Sequence, residues 1–434
     1  MPIYKFAPLV LIIFTLSFGS YAQKAKSRHI ITELNSRDIK QGAGVIAITG
    51  ARIIDGNGGT PLENGAVIVR NGVITDVGPS SKLKIPAEAS VVDAKGMSLL
   101  PGFIDAHFHL DDNPGLPGKF LNNGVTSVRD PGLWIEVYDG ERKTGKPLPR
   151  LFLTGPHIDM FPPAYPNDAY VVRDGTEAVN MVNRLADQGS TAIKVYFRLP
   201  PAIIAEVCKA AHQRGLPVTS HLETTEAMEA VEAGVDGIEH ITSLGLSLVP
   251  KIVGEKYRQK VLADNNARRQ GRYDVWSAID LNGKQVDSLA TFLKTKGTFI
   301  SSTLAVFEYR SPSDGKTDTA KLEGFKKMKM LAGILRKKGV RMVVGSHSMV
   351  PYAETGSAYH REMELMHDGG LTNSEVIVSA TMENARFLRI DERVGSIEKG
   401  KLADLQLIDG NPLENISDCR KVKKVMLNGV WIRE

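Results

Sequence analysis

The sequence predicts an α/β protein, a (β/α)8 TIM-like barrel joined to a small β-sandwich domain built from both chain ends. Two patterns carry this. Eight short apolar runs read as strands, at 102–108, 125–129, 151–154, 192–197, 217–221, 237–241, 298–304 and 341–345. Several are followed by helical spacing, and repeated strand–helix alternation argues for a parallel sheet closed into a barrel. Outside that region, at both ends of the chain, the texture changes to short β-runs punctuated by Asn-Gly turns. Composition agrees with a globular fold: of 434 residues, 42% are hydrophobic and 24% charged. A chain of this length buries a core without covalent staples. Its two cysteines, Cys208 and Cys419, exclude a disulfide scaffold and a cysteine-built zinc finger or iron–sulfur cluster.

The elements follow in order. Residues 1–22 read as a secretory signal. Lys5 precedes an apolar run from Ala7 to Phe18, and Ser20-Tyr21-Ala22 offers small residues at a cleavage site before Gln23. The protein is therefore expected to be exported, to the periplasm or beyond. Residues 23–42 are polar and aperiodic and read as a linker. Residues 43–98 supply strand-like runs, with Ala66–Arg70 and Val73–Val77 flanking Asn71-Gly72 as a hairpin. Residues 398–434 supply the matching half, with Ala403–Ile408, Val422–Leu427 and a second Asn-Gly pair at 428–429. The barrel occupies 99–397. After its fourth strand, Ile203, Val207 and Ala211 recur at helical spacing until Gly215 and Pro217. After its eighth, Thr372-Asn373-Ser374-Glu375 is a capping box opening a helix that ends near Leu388.

In such a barrel the chemistry sits at the C-terminal ends of the strands. His107 and His109 close the first strand two residues apart, so both face one way. His221 closes the fifth and His240 lies in the sixth. Only ten histidines exist in the chain, and four of them fall at strand ends. Imidazoles are common zinc ligands. Lys194 ends the fourth strand among them, where a bare ammonium would repel a metal ion. Tyr196 and Arg198 follow at even spacing and are expected to face substrate, Arg198 as a bidentate carboxylate partner. A net charge of +5 without a dense basic cluster argues against nucleic acid. No later apolar segment is long enough to span a bilayer.

This constellation resembles the amidohydrolase superfamily, in its imidazolonepropionase-like and Xaa-Pro-dipeptidase-like branch. The resemblance runs through Pro101–Leu110, Gly124–Gly132, Ile193-Lys194-Val195-Tyr196, His221, Ile238-Glu239-His240, Ala380-Thr381, Asn384-Ala385 and Gly395–Leu405. It implies that His107 and His109 bind one divalent metal, most often zinc, and that His221 and His240 bind a second. It further implies that Lys194 is carboxylated to bridge the two ions, with a metal-bound hydroxide as nucleophile. The implied activity is hydrolysis of an amide-type C–N bond in a dipeptide, an N-acyl amino acid or a cyclic amide. A homo-oligomer is implied by the same analogy. The Lys194 motif argues against a mononuclear deaminase.

One position departs from the family pattern. Where the eighth strand should end in Gly-Thr/Ser-Asp, this chain has Gly345-Ser346-His347. His347 can ligate a metal or shuttle protons, but it removes a negative charge from the site. Three outcomes stay open: hydrolysis with an altered base, a mononuclear site, or a metal- or ligand-binding homologue that has lost catalysis. Glu223, two residues after His221, is the substitute acid/base, against the plainer expectation of a solvated first-turn glutamate. Residues 251–290, rich in Lys and Arg, read as a solvated helical face or as a lid for acidic substrates. Residues 157–170 are expected to wall the pocket.

Overall fold

Each of the eight expected barrel strands forms in the computed structural model, which describes Met1 and residues 31–433. The proposed signal segment and the start of the linker lie outside the described residues. The strands are Phe103–Asp105, Val125–Asp130, Arg150–Leu153, Ile193–Val195, Val218–His221, Gly237–Glu239, Phe299–Ser301 and Arg341–Val343. Their pairing is parallel throughout, as in Ile193 beside Val218, Thr219 beside Gly237, and Phe299 beside Arg341. The ring closes where the Ala106 N–H donates to the Val344 carbonyl at 2.9 Å. Between the third and fourth strands, the Thr191 N–H donates to the Leu153 carbonyl at 2.8 Å. The segment expected only as a pocket wall adds two parallel strands, His157–Met160 and Ala169–Val172, the first of which touches Val195.

The helix after the fourth strand runs Pro201–Gln213 and buries Ile204, Val207, Cys208, Ala210 and Ala211. The capping box at Thr372 and Glu375 is formed, and the helical run it opens continues through a π-turn to Phe387.

The two chain ends share one eight-stranded sheet. Ser98–Pro101 from the front half pairs antiparallel with Leu405–Ile408 from the back half. A common core joins Ile48, Val67, Val69, Ile74 and Leu99 to Leu405, Leu407 and Met426. Both Asn-Gly pairs have positive φ at each residue, 49° and 81° at Asn71-Gly72 and 51° and 79° at Asn428-Gly429. That is the two-residue geometry whose twist matches paired strands. The two turns also meet: the Ala403 N–H donates to the Gly72 carbonyl, and the Gly429 N–H donates to the Ala403 carbonyl.

The linker expectation is corrected from residue 31 onward. Ile31 is buried beside Ile104 and Phe152. The Leu151 N–H donates to the Asn35 side chain, and Glu33 pairs with Arg150 and Arg393. Sequence polarity suggested a free arm because these polar side chains find their partners on the barrel, far away in sequence.

Candidate metal centre and substrate cavity

The strand ends bring His107, His109, Lys194, His221, His240 and His347 to one cavity of about 380 Å³. That size suits a small organic ligand. His157, Tyr196, Arg268, Arg269 and Arg272 line it as well.

The imidazoles crowd together. The Nε2 atoms of His107 and His109 are 3.0 Å apart. Ring centroids lie 4.6 Å apart for His107 and His240, 4.4 Å for His221 and His240, and 4.7 Å for His109 and His347. One ring nitrogen each from His107, His240 and His347 falls within 4.8 Å of the other two. This is close to the ~4 Å that two metal–nitrogen bonds of ~2.1 Å can span. The triad draws one residue from each of the first, sixth and eighth strand ends. The implied His107/His109 and His221/His240 pairs are each adjacent as well, so the six side chains form one continuous cluster.

The backbone bends sharply to achieve this. His240, Thr303, His347 and Ser348 have positive φ of 65°, 46°, 59° and 58°. Such conformations are rare outside glycine and gather at functional sites. Gly345 supplies the close approach. A Cβ there would lie 2.4 Å from Ser301 Oγ and 2.6 Å from His107 Cβ. Any side chain there would hold the strand that leads to His347 away from the segment carrying His107.

Behind the imidazoles stand their orienting partners. Glu239 Oε2 is 2.7 Å from His107 Nδ1. It therefore accepts the Nδ1 proton and leaves the His107 Nε2 lone pair facing the cavity. Asp130 Oδ1 is 3.6 Å from His109 Nδ1, and Thr303 Oγ1 is 2.6 Å from His240 Nδ1. Arg129 bonds the other Glu239 oxygen and reaches Thr219 at 3.1 Å. Burial raises Glu239, but Arg129 and Lys194 outweigh it and hold the carboxylate below its usual range.

Burial also sets the charge of the ring. It pushes His109 and His347 down to about 3 and His221 to about 4, with Lys194 and neighbouring rings adding to the effect. His107 and His240 lie well below 6.5 for the same reason. Lys194 is pushed down to about 7, against the pull of Glu239 with its Oε1 3.9 Å from Nζ. Neutral imidazoles with inward lone pairs are the form that binds metal. The Nε2 atoms of His107 and His109 are in hydrogen-bond contact at 3.0 Å, a contact that a shared metal ion can replace, and His221 Nδ1 is buried without a partner. The donor set thus fits a divalent ion, and the His107–His240–His347 triad can hold one.

Two of the expected site residues are placed differently. Arg198 does not line the cavity. Its guanidinium bonds Asn265 Oδ1 at 2.6 Å and the carbonyls of Val261 and Leu262. The strand ends at Val195, so alternation carries Tyr196 to the cavity but no longer governs residue 198. Glu223 is neither solvated nor free. It is 3% exposed and bonds His221 Nε2 at 3.0 Å, Arg272 at 2.7 Å and the Tyr257 hydroxyl. Burial would raise it, but Arg272, His221 and Tyr257 bring it down to about 2. A carboxylate so engaged supports His221 and is a poor proton acceptor.

Tyr196 packs against His157 with ring centroids 4.1 Å apart and planes tilted by 34°, and His157 Nε2 is buried without a partner. Sequence reading missed His157, Glu239, Asp130 and Arg129. The only signal for Glu239 was its place beside His240. Strict alternation gives one inward face to that pair. Positive φ at His240 lets both residues address the site.

Residues 118–432 match the model of the Amidohydrolase family, and the chain belongs to that family. A dihydroorotase from Geobacter sulfurreducens is 45% identical over 84 residues, which is 19% of this chain and 18% of that one. The match thus spans less than a fifth of that relative. Among solved structures, a Xaa-Pro dipeptidase with methionine bound in its active site superposes with a TM-score of 0.69 and 22% identity, covering 90% of this chain and 100% of the other. An A. niger ochratoxinase gives a TM-score of 0.68 and 19% identity, covering 90% of this chain and 96% of its own. At these identities the structural likeness shows the barrel fold.

Proposed function

We propose that this amidohydrolase is an exported, metal-dependent hydrolase of an amide-type C–N bond, acting on a dipeptide, an N-acyl amino acid or a cyclic amide. One observation carries the reading: neutral imidazoles from four strand ends converge with Lys194 at the floor of a ligand-sized cavity. Relatives with a Xaa-Pro dipeptidase or an N-acyl-D-aspartate deacylase activity in their names support the substrate class.

His107, His240 and His347 would hold the ion, with His109, His221 and Lys194 within reach of a second. Zinc is the first candidate because the ligands are imidazoles. A bound divalent ion supplies Lewis acidity that polarises a carbonyl and activates water. The chain's own residues do the rest. Glu239 fixes the tautomer of His107, and Glu223 fixes His221. His157 and Tyr196 border the space beside these rings and offer hydrogen bonds to a substrate oxygen. Lys194 near neutrality carries a free amine fraction, the form that takes up carbon dioxide. Intact-mass measurement under native conditions tests that modification.

A second reading rests on His347. Its neutral ring stands where the family has a proton-accepting carboxylate, so a metal- or ligand-binding homologue without catalysis is the rival. Metal content per chain, measured beside turnover of Xaa-Pro dipeptides, N-acyl amino acids and cyclic amides with zinc, manganese or cobalt, separates them. Bound metal with turnover supports hydrolysis. Bound metal without turnover on any substrate supports the rival, and His347→Asp should then raise metal content. N-terminal sequencing of the secreted protein tests cleavage before Gln23.

A further inference from the structure

Arg268 opens the helix Arg268–Ala278 in the segment between the sixth and seventh barrel strands. It is 2% exposed. Its guanidinium carbon lies 5.2 Å from the Tyr165 ring centroid and 5.7 Å from that of Phe197. It makes one hydrogen bond, from Nη1 to the Asn265 carbonyl at 2.6 Å. Among the described residues no carboxylate forms an ion pair with it. Its neighbours are satisfied otherwise: Arg272 pairs with Glu223, and Arg258 with Glu255. A guanidinium stays charged at any physiological pH, and a buried charge without a counter-ion is strongly unfavourable. Arg268 lines the same cavity as the histidine ring.

The loop that carries it is held in place. Asn265, whose carbonyl accepts from Arg268, is itself gripped by Arg198 at 2.6 Å and donates to the Pro162 carbonyl at 3.0 Å. Gly271 lets the helix press on Tyr257, where a Cβ would come within 2.8 Å of the ring. The guanidinium is thus positioned before any ligand arrives, with most of its five N–H donors still unused.

We infer that Arg268 receives a substrate carboxylate, and that the amide this enzyme hydrolyses carries a free carboxylate close to the scissile bond. This rests on the hydrolase reading above and narrows it. A dipeptide or an N-acyl amino acid qualifies; a cyclic amide without an acid group does not. Arg198, expected from sequence to play this part, instead anchors the loop that presents Arg268.

The test compares substrates that differ only in that group, on the full metal-loaded protein. A Xaa-Pro dipeptide should exceed its C-terminal amide by about 100-fold or more in kcat/KM, as for loss of a charged hydrogen-bond partner. Arg268→Met keeps the stacking volume. It should abolish most of that preference by slowing the acid, while the amide changes by less than about threefold. Arg268→Lys should restore only part, because it keeps charge without the planar fork. Equal use of acid and amide by the native protein, or an equal loss on both in Arg268→Met, overturns the proposal. If neither substrate turns over, the hydrolase reading fails separately, and calorimetry with N-acetylproline against N-acetylprolinamide decides. Acid-selective binding lost in Arg268→Met supports the role of Arg268, and equal binding of the two probes refutes it.

Discussion

On the barrel side of the cavity, histidines are buried and lose their charge, with His109 and His347 pushed down to about 3. On the helical side, Arg268 is also buried and Arg272 half-buried, and a guanidinium does not shed its charge in response. Burial acts on both walls, and the outcome differs because the groups differ. An imidazole escapes desolvation by releasing its proton near neutral pH, while a guanidinium cannot. The floor therefore presents lone pairs and suits a cation. The lid presents N–H donors and suits an anion. A ligand placed between them is expected to offer a carbonyl to one wall and a negative group to the other.

Four experiments bear on this contrast. Removing a floor ligand should have the largest effect. His107→Ala takes away the ring shared by His109, His240 and Glu239, and should reduce activity by about 10³-fold with metal content falling in parallel, on the scale of a preorganised catalytic group. Full metal content in that variant would break the picture of the floor.

Next is the support beneath the rim. Glu362 is fully buried, accepts from Ser302 Oγ and the Ala305 N–H at 2.8 Å each, and is raised by burial to about 7. Its folded pKa lies above the unfolded value, so its contribution is complete below about pH 4.5 and is lost as pH rises through about 7. The swing is at most roughly 3 kcal/mol. Glu362→Gln should flatten the dependence of stability on pH across that window, as read by denaturant titration at several pH values. An unchanged slope would count against a protonated Glu362.

Glu239→Gln probes the layer behind the floor. It keeps the shape but weakens the hold on the His107 Nδ1 proton, and metal affinity should fall about 10–100-fold. Competition with a chromogenic chelator measures this. No change would mean that His107 is oriented by packing alone.

The smallest effect is expected outside the cavity. Arg198→Ala loosens the Asn265 loop and should cost about 1 kcal/mol in thermal stability, in the range of a single hydrogen-bonded contact. Its effect on KM should stay below that of Arg268→Met. A larger rise in KM for Arg198→Ala would return Arg198 to the substrate.

Much of this architecture was legible in the chain. The eight apolar runs, the Asn-Gly hairpins and the Thr372 capping box are local signals, and each formed where the pattern put it. Even spacing past a strand end is an uneven guide: His107 and His109 reach one cavity although their strand ends at Asp105, whereas Arg198, beyond the strand that ends at Val195, turned away to Asn265. Residue 31 onward, polar and aperiodic, looked unattached because its partners lie on the barrel.

By itself the sequence determined the strand–helix order, the composite sheet and the set of histidines at the strand ends, because those depend on periodicity and turn chemistry within a few residues. Tertiary structure decided which histidines share a triad, that Glu239 and Glu223 stand behind them, and that Arg268 faces the cavity without a partner. Those outcomes depend on left-handed backbone at His240 and His347, on the absent Cβ of Gly345, and on burial that strips or keeps charge, none of which is encoded in local spacing.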